Sequence, residues 1–102
     1  MKDQKYDALT QLLGCYLHQD WVDEFDSDIT ALRSARDNEQ KELVSAGIAE
    51  LDALLASNYS ETELEAVLAG QVGCYFAPES IGLSWKEWLG RARGILSGSI
   101  KG

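Results

Sequence analysis

Two tetrapeptides, Ser60-Glu61-Thr62-Glu63 and Ser84-Trp85-Lys86-Glu87, share the pattern Ser-x-x-Glu, and each leads into an apolar stripe. A serine hydroxyl in the first position accepts a hydrogen bond from the third following backbone N–H. The glutamate reaches back to the serine N–H, so both donors are satisfied within one turn. These are local, sequence-written helix starts. In a chain of 102 residues they leave little room for a sheet. Only Val72-Gly73-Cys74-Tyr75-Phe76 has strand-like content, and it has no obvious pairing partner.

Apolar spacing extends the helical reading over the rest of the chain. Tyr6, Leu9, Leu12, Leu13, Tyr16 and Leu17 recur at intervals of three and four, which predicts a first helix from about Lys5 to Leu17, with Leu9, Leu13, Tyr16 and Leu17 inward. An acidic connector, Gln19 to Asp28, follows. Ser27 or Asp26 can then cap a short helix carrying Ile29, Ala31, Leu32 and Ala35. Asp37-Asn38 should break it, with Asn38 capping a third helix that runs to about Ser57. Its stripe is Leu43, Gly47 or Ile48, Leu51, Leu54 and Leu55. The helix after Ser60 carries Leu64, Val67 and Leu68 and should stop near Gly70. Gly73 to Gly82 reads as irregular because of Pro78 and its flanking glycines. The last helix carries Trp85, Trp88, Leu89, Ala92, Ile95 and Leu96, and Gly98 suits a left-handed cap. The expectation is an all-α, compact single-domain bundle of about five helices spanning residues 1–102.

Charge narrows the function. Nine Lys and Arg stand against 17 Asp and Glu, a formal net charge of −8. Affinity for nucleic acid rests on cations that neutralise phosphates, so direct binding to nucleic acid or to an anionic membrane is not expected. Acidity fits a basic partner, and it also fits plain solubility. Residues 19–28 stand out, with Asp20, Asp23, Glu24, Asp26 and Asp28 and no base. No apolar run approaches the ~18–20 residues of a membrane span. Met1 to Asp7 has no apolar core of a secretory signal, so a reducing compartment is expected, with Cys15 and Cys74 as thiols packed like small hydrophobes.

Catalytic and metal readings are weak. Cys15 and His18 are three residues apart and would share a helix face, but nothing supplies an oxyanion hole or a third orienting group. A calcium loop begun at Asp26 puts Ala31 where glycine is required and Asp37 where glutamate is required. No cofactor, metal or catalytic residue is assigned. Trp85 and Trp88 lie on the inward stripe of the last helix. Trp21 lies outside the first helix, either as a lid over the core or as an exposed anchor, with core favoured.

Gly14-Cys15-Tyr16-Leu17-His18-Gln19-Asp20-Trp21 reads G-x-Y-x-H-Q-D-W. This run resembles the helical immunity proteins of bacterial contact-dependent growth inhibition (CDI) systems. The similarity continues through the acidic segment, Glu50-Leu51-Asp52-Ala53-Leu54-Leu55, Gly73-Cys74-Tyr75-Phe76-Ala77-Pro78 and Trp85-Lys86-Glu87-Trp88-Leu89, in that order. It covers about Leu9 to Leu96. The resemblance implies a cytoplasmic, non-enzymatic inhibitor that pairs one-to-one with its cognate toxin domain. Such toxins are often nucleases with basic surfaces. It also implies that Tyr16, His18, Gln19, Asp20 and Trp21 hold the fold, with His18, Gln19 and Asp20 capping the first helix. Toxin contacts are then expected on Asp23, Glu24, Asp26, Asp28, Glu61 and Glu65. The other reading of the acidity is an adaptor or nucleic-acid mimic that occupies a different basic partner.

Overall fold

A computed structural model describes residues 6–98. Helix α1 is Asp7–Leu9, and it continues as a π-helical turn, Thr10–Gly14. Helix α2 is Trp21–Glu24, α3 is Asp28–Asn38 and α4 is Lys41–Ala56. Helix α5, Glu61–Glu65, runs on into a second π-helical stretch, Ala66–Val72. A 3₁₀ turn, Pro78–Ile81, precedes α6, Trp85–Ser97. There is no strand among the described residues. Five helical segments exceed seven residues once each π stretch is joined to the helix it extends, so the all-α bundle reading holds.

The local start signals act as written. Ser60 accepts from Glu63 N while Glu63 accepts from Ser60 N, and Ser84 and Glu87 repeat the exchange. Ser27, rather than Asp26, caps α3 by accepting from Thr30 N. Gly98 ends α6 in the left-handed conformation.

Boundaries differ where tertiary packing intervenes. The first helix ends at Gly14 rather than Leu17, and its expected start at Lys5 lies outside the described residues. The expected acidic connector contains the short helix α2. Asn38 closes α3 instead of opening α4, whose N-cap is Gln40, without a side-chain bond. The helix begun at Ser60 reaches Val72 rather than stopping near Gly70.

Helix α6 packs against α3, α4 and α5, and α1 lies along α4. The centre holds Leu9, Leu12, Leu13, Leu32, Leu51, Leu54, Leu68, Trp88 and Leu89, all essentially inaccessible. Gly47 sets the α1–α4 approach, because a Cβ there would overlap the Leu12 side chain. Leu43, Ile48 and Leu55 pack from the margin. Two helix starts are closed from far along the chain. The Glu50 carboxylate accepts from Leu9 N at 2.9 Å and Ala8 N at 3.2 Å, and Glu61 accepts from Trp85 N at 2.6 Å and Lys86 N at 3.3 Å. These supply acceptors for N–H groups that have no partner within their own helix, at the end of the helix where negative charge is favoured.

Candidate functional site: an acidic face beside the Tyr-x-His-Gln-Asp-Trp run

The run from Tyr16 to Trp21 turns the chain from α1 into α2. Leu17 is fully buried, and its carbonyl accepts from Tyr75 N at 2.7 Å, tying this turn to the segment before α6. Tyr16 donates its hydroxyl to Glu39 at 2.9 Å and lies 6.1 Å from the Phe25 ring. Burial, and then the Glu39 carboxylate beside it, pushes the Tyr16 phenol above its usual range. His18 Nδ1 accepts from Asp20 N at 3.0 Å, and Nε2 lies 3.3 Å from the Glu24 carboxylate. Both ring nitrogens thus have partners at the start of α2 or on it. His18 thus serves the beginning of α2, not the end of the first helix. Gln19 and Asp20 are exposed, and Asp20 makes no side-chain capping bond.

Trp21 is half-buried and meets Phe76 edge-on at 5.5 Å. Phe76 lies 5.2 Å from Trp88, which meets Trp85 edge-on at 6.0 Å. This chain of rings carries the motif into the core, so the lid reading of Trp21 describes it.

The acidic residues separate into two places. Asp23, Glu24 and Asp26 are exposed on and just after α2, next to Val22, which is 64% exposed. Asp28 is not among them. Only 3% exposed, it accepts from Trp88 Nε1 at 2.7 Å and from Arg91 Nε and Nη2 at 3.1 and 3.2 Å. The expectation of a surface carboxylate is corrected here: Asp28 begins α3 under the aromatic chain, where a paired carboxylate satisfies two donor side chains.

Glu61 and Glu65 lie elsewhere, on α5, and line a groove of about 480 Å³. The segment Cys74–Glu79 with Leu83, Ser84 and Trp85 lines it too. Sequence reasoning missed two of its residues. Tyr75 is 60% exposed, and Glu79 stands on the 3₁₀ turn that Pro78 begins. The signal was present as alternation, since Cys74, Phe76 and Pro78 are buried while Tyr75, Ala77 and Glu79 face out.

Cys15 is exposed and Cys74 buried, so only the second packs as a small hydrophobe. Among the described residues no group of three His, Cys, Asp or Glu side chains could hold a metal ion, and no helix is long and apolar enough to cross a membrane.

The family model described as CdiI immunity protein matches residues 5–96. Among solved structures, a chain in the crystal structure of a CdiA-CT/CdiI complex from Y. kristensenii 33638 is similar, at 29% identity and a TM-score of 0.84. The match covers 91% of this chain and 99% of that one. Comparison with curated proteins found no match.

Proposed function

Because this chain belongs to the CdiI immunity protein family, we propose that it binds the cognate C-terminal toxin domain of a CDI effector as a one-to-one complex in the cytoplasm and neutralises it. The toxin is a nuclease in this reading. The observation that carries the proposal is the family match over residues 5–96, together with a near full-length fold likeness to a chain from a toxin–immunity complex.

The charge supports the choice of target. Among the described residues, Arg36, Arg91 and Arg93 are paired with Asp37, Asp28 and Asp52, whereas the carboxylates on α2 and in the groove form no ion pair with a Lys or Arg side chain. A nuclease presents cations where phosphates bind, and an acidic cover competes for them. Nothing here requires chemistry from the inhibitor, since occupying the toxin surface is sufficient.

The test is co-expression with the C-terminal domain of the large polypeptide encoded directly upstream. The two proteins should co-elute at one-to-one mass. Added inhibitor should stop cleavage of RNA or DNA by the isolated domain, and cells making it should survive the toxin. A domain that neither co-elutes nor loses toxicity refutes the proposal. A domain that is bound and neutralised but cleaves no nucleic acid refutes only the nuclease assignment.

A further inference from the structure

The two acidic places differ in shape. Those on α2 stand on a short exposed helix, whereas Glu65, on α5, and Glu79, on the 3₁₀ turn, both line the 480 Å³ groove. The largely buried Phe76, Pro78 and Trp85 give the groove an apolar part to its lining, and Tyr75 stands exposed among the lining residues. Among the described residues neither Glu65 nor Glu79 has a Lys or Arg within ion-pairing distance. Glu61, on α5 with Glu65, is already engaged by the first amides of α6.

We propose that this groove anchors an arginine from a basic segment of the toxin, its stem against the apolar side chains of the lining and its guanidinium paired with Glu65 and Glu79. The inference rests on the toxin-inhibitor reading and adds the point of attachment. An arginine suits the groove for three reasons. Its stem buries apolar surface while the head stays polar. Its planar fork matches carboxylates in pairs. Its face can stack on an exposed tyrosine ring. A second copy of this chain is a poor occupant, because it brings its own net charge of −8. A divalent cation lacks a converging set of three ligands among the described residues.

The experiment measures binding kinetics between the upstream-encoded toxin domain and three proteins: wild type, Glu65→Gln/Glu79→Gln, and Tyr75→Ala. These side chains are exposed and make no described hydrogen bond, so helical content and melting should stay at wild-type values. Each variant should dissociate about tenfold faster or more, because short-range contacts act mainly on the off-rate. One toxin Arg→Ala change should reproduce the loss, and combining it with Glu65→Gln/Glu79→Gln should add little further. Wild-type dissociation from both variants overturns the groove and leaves the toxin-inhibitor reading standing. A wild type that fails to bind overturns both. Free protein that is dimeric, and becomes monomeric on Tyr75→Ala, makes the groove a self-interface and overturns the proposal.

Discussion

Asp28 is the residue on which most of the interior polar chemistry converges. It joins the first turn of α3 to two side chains of α6, about sixty positions away in the chain, and each donor depends on it. Removing one member of a buried, hydrogen-bonded pair leaves the others uncompensated, at a cost of about 3–5 kcal/mol. Asp28→Ala should lose stability on that scale in urea denaturation. Trp88→Phe keeps the Arg91 pair but loses one hydrogen bond and part of a fully buried ring, so it should cost about 1–3 kcal/mol. Equal, small losses from both would mean that Asp28 is not held as described. Cys74 supplies a second residue-scale test. Burial pushes its thiol from an ordinary value of 9.0 up to about 12. Between those values the unfolded chain has lost the proton and the folded chain has kept it. Stability contributed by the neutral thiol is therefore intact below pH ~9 and falls as pH rises, at about 1.4 kcal/mol per pH unit. Cys74→Ala should flatten the alkaline limb of the stability profile relative to wild type. In the native protein a thiol reagent should modify Cys15 promptly and Cys74 only on unfolding; two fast thiols would contradict the burial.

At the scale of elements, two helix-embedded glycines have opposite meanings. Gly14 closes the first π-helical turn, and a Cβ there would run into the Val72 carbonyl oxygen of the second. Backbone cannot step aside as a flexible side chain does, so Gly14→Ala should destabilise by about 1–3 kcal/mol. Gly90 sits in exposed helix with nothing near its would-be Cβ. Gly90→Ala should therefore stabilise by about 0.5–1 kcal/mol, the helix-propensity difference. Thermal melts of the pair decide it; a destabilising Gly90→Ala would show that the α6 surface is not open. The same elements explain what could be read from the chain alone. Ser60, Ser84, Ser27 and Gly98 act on backbone within a turn of themselves, and their roles were legible. Glu50 and Glu61 cap helices from 41–42 and 24–25 residues away, a relation no local pattern encodes. Apolar spacing alone over-extends the first helix because Tyr16 and Leu17 keep that spacing after Gly14, although the turn that carries them is set by Tyr75 and Glu39. Asp28 misled for a related reason. Beside Asp23, Glu24 and Asp26 it reads as one more solvated acid, and only its distant partners Trp88 and Arg91 reveal otherwise.

At the scale of the whole molecule the decisive quantity is an imbalance, a net charge of −8, carried in part by exposed carboxylates on α2 and α5. Like charges on α2 work against folding, so their grouping is expected to bring an opposing benefit in encounter with a cationic partner. Steering of that kind is long-ranged and screened over ~8–10 Å at physiological ionic strength. It changes how often partners meet more than how long they stay. The α2 carboxylates should therefore behave differently from the groove. Asp23→Asn/Glu24→Gln/Asp26→Asn should leave the fold intact, since exposed substitutions usually shift stability by less than about 0.5 kcal/mol each. The amide oxygen that replaces the Glu24 carboxylate would still accept from His18 Nε2, preserving the bond that organises α2. Asp28 stays in place. Association with the upstream-encoded toxin domain should slow by about tenfold at low salt, and the salt dependence of that rate should flatten. Dissociation should change little, in contrast to the groove variants. Stopped-flow association across a salt series checks this directly. A triple variant that associates as fast as wild type at low salt would reduce the α2 acids to a solvated turn and leave recognition to the α5 groove alone.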